Sequence, residues 1–248
     1  MLSGAPPAND EGSMRLSMAA SYGYSIVAVE GWARTIALVL GLGIMAALPG
    51  QSARAETAAK PLKLVVLGDS LTAGYGLPAA DAFPAKLQKA LKAEGIDTEM
   101  VNAGVSGDTA SGGLQRLDWS VPPDADAVIV ELGANDALRG TDPKVPRKAL
   151  DEILKRLKAR NLPVLLAGML APPNYGKDYA AQFDAIYPDL AKQYDVPLYP
   201  FFLDGVAAVS NLNQADGIHP TAAGVDIIVE RILPKVEALL RPLLVQSR

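Results

Sequence analysis

The chain has 248 residues, 50% of them hydrophobic and 20% charged, with 23 Lys and Arg against 27 Asp and Glu for a net charge of −4. No basic run is present, which argues against nucleic acid as a partner. Cysteine is absent and histidine occurs once, as His219, so thiol nucleophiles, disulfides, zinc–thiolate and iron–sulfur sites, an N-terminal lipid-modified cysteine and multi-histidine metal sites are all excluded.

At the N-terminus, Thr35 to Pro49, "TIALVLGLGIMAALP", form an apolar block behind Arg34 and ahead of Ala53-Arg54-Ala55. A basic flank, a short apolar core and a small-x-small site predict an export leader cut after Ala55. The block is short for a bilayer crossing, which takes about 20 apolar residues, so no membrane span is expected to remain after cleavage. Residues 1–33 are long and weakly basic for a leader's front end, and Met14 and Met18 offer alternative starts. Residues 1–55 are thus read as leader and extension, and residues 56–248 as one domain. The removed part carries equal acids and bases, so the remaining chain keeps its net charge of −4. It is large enough to bury about 70% of its unfolded surface.

Apolar runs and helical patterns then alternate. Strands are predicted over Leu64–Leu67, Thr98–Asn102, Ala127–Leu132, Pro163–Leu170 and Val196–Tyr199. The run "AVIVEL" at 127–132 is almost wholly apolar and reads as central, since strands covered on both faces lose their alternation. Helices are predicted over Phe83–Glu94, Val145–Arg160, Tyr179–Tyr194 with a kink or break at Pro188, and Gly224–Leu240 interrupted at Pro234. Strand–helix alternation implies a parallel sheet with helices on both faces, and such sheets place ligands beyond the carboxyl ends of their strands. There is no internal repeat.

Four polar, glycine-marked stretches fall at those ends: Gly68-Asp69-Ser70, Asn102-Ala103-Gly104, Gly133-Ala134-Asn135-Asp136 and Asp216-Gly217-Ile218-His219-Pro220. A serine hydroxyl becomes a useful nucleophile when a base takes its proton, and imidazole is matched to that task near neutral pH. Asp216, three residues before His219, can turn back to hold the correct tautomer. The order Ser, Asp, His is that of other hydrolases on parallel sheets, although the usual G-x-S-x-G elbow is missing at both Ser70 and Ser106. The N–H groups of Ser70 and Gly104 with the Asn135 amide are candidate oxyanion donors. Each residue also has a plainer reading. Asp69 and Ser70 suit a helix N-cap, Gly104 and Asn135 suit turns, and His219 suits a cap. Asp69, Asp108 and Asp136 read as structural groups bonding loop N–H donors.

The stretches "VVLGDSLTAGYG", "VNAGVSGDTASGG", "VELGANDALRG" and "QADGIHPTAAG", in that order over about residues 62–240, resemble the SGNH or GDSL-type hydrolases. Within them the likeness is to the bacterial arylesterase, acyl-CoA thioesterase I and lysophospholipase L1 group. The resemblance implies a three-layer α/β/α sandwich with a five-stranded parallel sheet, and no cofactor or metal. It implies Ser70, Asp216 and His219 as the triad, with Ser70, Gly104 and Asn135 as the oxyanion site. It also implies an acyl-enzyme intermediate formed from small-molecule aryl esters, thioesters or lysophospholipids in the periplasm or outside the cell. Some relatives have Gly where this chain has Ala134, a change placed to trim the acyl pocket. The acyl group is expected along an apolar groove including Leu138, Pro172, Pro173 and Tyr175. A carbohydrate O-deacetylase ranks second, because aromatics, which sugar sites use, make up only 6% of the chain. An acyltransferase of the same fold and a non-catalytic envelope binding protein are the further alternatives. Oligomeric state, acyl chain length and physiological substrate are left unassigned by the sequence.

Overall fold

Seven residues, Leu62–Gly68, form β1, which is buried along nearly its whole length. In the computed structural model, which describes residues 60–246, it joins β2 (Thr98–Gly104), β3 (Ala127–Glu131), β4 (Val164–Ala167) and β5 (Leu198–Tyr199). Every pairing is parallel and the order is β2-β1-β3-β4-β5. The middle strand β3 is buried at all five positions, as its unbroken apolar run requires, whereas edge strand β2 is half-exposed. The expected leader at residues 1–55 lies outside the described residues.

The helices, among the described residues, are α1 (Ser70–Ala73), α2 (Phe83–Ala93), α3 (Ala110–Gln115), α4 (Leu117–Ser120), α5 (Ala134–Leu138), α6 (Lys144–Ala159), α7 (Lys177–Asp184), α8 (Ile186–Tyr194) and α9 (Ala222–Gln246). Parallel crossovers are right-handed. The step from β1 to β2 runs one way along the sheet and every later step runs the other, so α2 and the later crossover helices lie on opposite faces. Accordingly α2 packs on α9, and α6 packs on α3 and α8. The result is a three-layer α/β/α sandwich whose direction reverses at β1 and β3. In such sheets ligands bind at that reversal, beyond the carboxyl ends of the strands.

The core is aliphatic, formed by β1, β3 and β4 together with Leu87 and Leu91 of α2, Leu150, Ile153, Leu154 and Leu157 of α6, and Ile232, Val236 and Leu240 of α9. Phe83 and Phe202 meet edge to face at 5.0 Å. Three element boundaries differ from the sequence expectation. The helix foreseen over 179–194 is two helices, α7 and α8, hinged at Ala185. Pro188 sits in the first turn of α8, where its missing N–H costs no hydrogen bond. β4 ends at Ala167; beyond it Gly168 still donates to Tyr199 O and accepts from Phe202 N, and its lack of a Cβ lets it lie against the Pro200 carbonyl. Finally, α9 is not interrupted at Pro234 but runs through it and Pro242. The buried row Val229, Ile232, Val236 and Leu240 holds the helix to the core and offsets the lost bonds.

Pro234 is exposed, so Pro234→Ala restores the helix bond to Glu230 without disturbing the core. It is expected to raise stability by roughly 1–3 kcal/mol, read as a higher midpoint in urea or thermal unfolding.

Candidate active site

Where β1 ends, Asp69 turns the chain. Its Oδ1 accepts from Leu71 N at 3.0 Å, making it the N-cap of α1, and Ser70 is the first residue of that helix. The plainer reading of Asp69 as a cap and the exposure of Ser70 at a strand end therefore hold together. Ser70 is 9% exposed, with its hydroxyl at the surface of a cleft.

His219 arrives from 149 residues away. Its Nε2 lies 2.9 Å from Ser70 Oγ. The opposite ring nitrogen, Nδ1, lies 2.6 Å from Asp216 Oδ2. The loop that carries both residues is tightly braced. Asp216 Oδ1 accepts from Ile218 N (2.9 Å) and His219 N (3.0 Å). Gln214 N donates to His219 O at 2.7 Å, and Asn213 bridges Pro220. The His219 backbone N–H, then its ring, then the Ile218 N–H hold the Asp216 carboxyl down at about 2, so it stays ionised throughout the neutral range.

Asn135, on the first turn of α5 beyond β3, also reaches the cleft. Its Nδ2 donates to Asp108 O at 2.9 Å and to Asp69 Oδ2 at 3.1 Å. The amide is thus aimed and anchored on the same corner as Ser70. Gly104 does not line the cleft. Its N–H donates to Asn102 Oδ1 at 3.0 Å. A Cβ at 104 would fall 2.3 Å from Ala73 N, so this glycine lets the backbone of α1 lie against the end of β2. The peptide that does neighbour Asn135 is Gly107–Asp108, held by the Asn135 bond to Asp108 O and by Arg139 Nη2 to Gly107 O at 2.9 Å.

The cleft has a volume of about 610 Å³. Beyond Ser70, Asn135 and His219 its walls are apolar: Leu71, Leu138, Met169, Leu170, Pro172, Pro173, Phe201, Leu203 and Ile218. Leu138, Pro172 and Pro173 lie where the sequence placed them. Tyr175 does not line it; its hydroxyl donates to Leu138 O at 2.8 Å, so it braces the wall instead of forming it. Met169, Phe201, Leu203 and Ile218 were missed. They sit in segments after β4 and β5 and beside His219, and the only sequence signal was an apolar residue following a strand end.

Two ionisable groups beneath the site also escaped the sequence reading. Arg116, 6% exposed, donates from Nη2 to Gly68 O (2.7 Å), from Nη1 to Ala103 O (2.7 Å) and from Nε to Asp108 Oδ2 (2.6 Å). Asp108 is therefore partner to a guanidinium, while Asp136 bonds a loop N–H, that of Ala110, at 2.8 Å. Glu131, at the end of β3, is wholly buried; its Oε2 and Thr72 Oγ1 share a 2.7 Å hydrogen bond, and its Oε1 is unpartnered. Burial, then the neighbouring Asp69, push its carboxyl well above the usual range. Burial likewise lifts Asp69 to about 6, against the pull of the Leu71 and Asn135 N–H donors. Both carboxyls have donors, Thr72 and backbone N–H groups at Glu131 and the Leu71 and Asn135 N–H groups at Asp69, but burial outweighs them more fully at Glu131, which keeps the proton. Among the described residues no cluster of three or more acidic or His side chains could hold a metal ion.

A model of the GDSL-like lipase/acylhydrolase family matches residues 66–227, and the chain belongs to that family of carboxylic ester hydrolases. It is 40% identical over 205 residues to esterase TesA of Pseudomonas aeruginosa, covering 82% of this chain and 99% of that one. To thioesterase 1/protease 1/lysophospholipase L1 of Escherichia coli strain K12 it is 42% identical over 178 residues, covering 71% and 84%. The solved structure of AlinE4, an SGNH-hydrolase family esterase, superposes with a TM-score of 0.62 at 46% identity, covering 73% of this chain and 98% of that one.

The raised Glu131 carboxyl has a measurable consequence. The folded chain keeps a proton that the unfolded chain releases above about pH 4.5. The contribution of Glu131 to folding stability therefore falls as the pH rises past that value and levels off once the folded carboxyl ionises. Glu131→Gln, a neutral isostere, removes this dependence. Its melting temperature relative to the parent chain is expected to be higher at pH 8 than at pH 5.

Proposed function

We propose that the chain is an exported serine esterase acting through Ser70, His219 and Asp216. The observation that carries this reading is the continuous run from Ser70 Oγ to His219 Nε2 (2.9 Å) and from His219 Nδ1 to Asp216 Oδ2 (2.6 Å) at the polar end of an apolar cleft. His219 takes the proton of Ser70 as Oγ attacks the acyl carbonyl. Asp216, ionised and bonded to Nδ1, stabilises the imidazolium that forms. His219 then protonates the leaving group, and the alcohol or thiol departs from an acyl-enzyme. Water, deprotonated by the same imidazole, releases the acid. No cofactor enters any of these steps.

The oxyanion is assigned to the N–H groups of Ser70 and Gly104 and to the Asn135 amide, whose Nδ2 would exchange one of its resting bonds, to Asp108 O or Asp69 Oδ2, for the developing charge. The apolar walls favour an aliphatic or aryl acyl group over a sugar, which supports ester hydrolysis above glycan deacetylation. Oxygen esters, thioesters and lysophospholipids are all proposed as substrates, in keeping with the names carried by the relatives. The export leader over residues 1–55 belongs to the same reading, and no described helix is long and apolar enough to cross a membrane.

Ser70→Ala and His219→Ala are each expected to abolish hydrolysis of p-nitrophenyl acetate, and Ser70→Ala to abolish labelling by a fluorophosphonate probe. Retained turnover in either variant would exclude the triad. Asn135→Ala is expected to lower kcat by about 10²–10³, the effect of removing one oxyanion donor. An unchanged kcat would reduce Asn135 to an anchor of the 105–108 turn.

A further inference from the structure

The turn that follows α1 does something the triad does not explain. Tyr75 lies there between Gly74 and Gly76, whose φ angles are +80° and +74°. Two left-handed residues reverse the chain sharply, and the reversal carries the Tyr75 ring back over His219. The two ring centroids are 4.5 Å apart and their planes are tilted by 36°. Tyr75 is 53% exposed, so burial in the core does not account for its place. Nor is it among the residues lining the cleft, which has Gly217, Ile218 and His219 along that wall.

A single side chain locks this arrangement. Gln214 Nε2 donates to Tyr75 O at 2.8 Å and to Pro220 O at 2.9 Å. The Gln214 backbone N–H donates to His219 O. The turn bearing the phenol and the loop bearing the imidazole are thus tied together by one residue. A Cβ at position 76 would fall 2.3 Å from Gln214 Oε1, so the tie also needs the glycine.

We propose that Tyr75 is a positioning residue for His219, holding the imidazole plane in line with Ser70 and stabilising the imidazolium through its ring face. Asp216 and Ser70 grip the two nitrogens at the edge of the imidazole, and edge contacts alone leave the ring free to tilt about its Cβ–Cγ bond. A face contact stops that tilt. An aromatic face also attracts a cation, by about a two- to five-fold preference at an exposed site. That attraction acts on the imidazolium formed during attack and not on the neutral ring before it, so it lowers the barrier instead of tightening substrate binding. The charged groups facing the ring are Asp216, on its own loop, and Asp69, behind Ser70 at the β1–α1 corner. Neither is altered by changing Tyr75.

The inference rests on the reading of His219 as the general base, and one set of variants separates the two. Tyr75→Leu keeps an apolar cover on the imidazole but removes the aromatic face; Tyr75→Phe keeps the face and removes the hydroxyl. For p-nitrophenyl butyrate, Tyr75→Leu is expected to lower kcat at least about two- to five-fold with KM within two-fold. The acid limb of its kcat/KM profile should move about 0.3–0.7 unit to lower pH, the same preference expressed on the pH scale. Tyr75→Phe should match the parent in both. A Tyr75→Leu variant with unchanged kcat and an unmoved limb would overturn the proposal. So would a loss confined to KM, which would make Tyr75 a substrate contact, or a Tyr75→Phe variant as impaired as Tyr75→Leu. If Ser70→Ala keeps turnover, the esterase reading itself has failed; if Ser70→Ala is inactive and Tyr75→Leu behaves as the parent, only the role of Tyr75 has.

Discussion

The guanidinium of Arg116 holds the reactive corner together. Parallel strands end in carbonyl groups that have no further strand to meet, and at the carboxyl edge of this sheet those of Gly68 and Ala103 point at one buried cation. Arginine suits the place because its fork presents several fixed donors at once. With the ends of β1 and β2 joined, and Asp108 drawn in by the same group, the corner from which Ser70 leaves and the turn to which Asn135 is anchored become one rigid piece. Loss of this cation would take a donor from Gly68 O, Ala103 O and Asp108 Oδ2 together, and Gly68 O would keep the N–H of Val105 as a backbone donor.

Around that frame the carboxyl groups divide by environment. Asp216 stands toward solvent, is surrounded by N–H donors and remains charged. Glu131 has no exposure and keeps its proton. Asp69 lies between them in character, buried but supplied with two donors. A negative charge on Asp69 behind Ser70 and another on Asp216 beside His219 both favour a protonated ring at 219, whereas a second ionised carboxylate at 131 would be repelled by Asp69. The neutral Glu131 therefore serves as a polar filler between β3 and α1, and Gly68 makes room for it: a Cβ there would fall 2.0 Å from Thr72 Oγ1.

Much of this was legible in the sequence. Five apolar runs marked the five strands, and the small polar clusters after them marked the rim. Ser70, Asn135, Asp216 and His219 could be singled out because four polar, glycine-marked stretches occur together in one order and because only one imidazole exists, although each residue type alone is ordinary at a turn or cap. Gly104 reads two ways because glycine serves equally for approach to a ligand and for approach of one backbone to another; the structure shows the second, against Ala73. Arg116 and Glu131 were invisible for a different reason. One lies at the end of a short helical pattern where arginines are usually solvated, and the other lies inside an apolar run where its charge state depends wholly on neighbours distant in sequence. Tyr175 looked like a wall residue because it is aromatic and near the cleft, yet its hydroxyl made it a brace. Proline misled at α9 because local propensity was outweighed by a buried aliphatic row.

The same distances explain why activity in this fold must follow stability closely. Ser70 and His219 are separated by 149 residues and meet only because β1 and the loop before α9 end on one rim. Closing so long a loop has an entropic cost that one hydrogen bond in partial solvent cannot offset, so the contact is a product of the folded sheet and contributes little to forming it. Two local devices narrow the remaining freedom: Asp216 within its own turn, and Gln214 with Tyr75 across the gap to α1. The apolar walls of the cleft, in contrast, come largely from segments after β3, β4 and β5, with Ile218 the wall residue that also bonds Asp216. Changes in those segments would reshape the cleft while the contact of Ser70 with His219 rests on other elements.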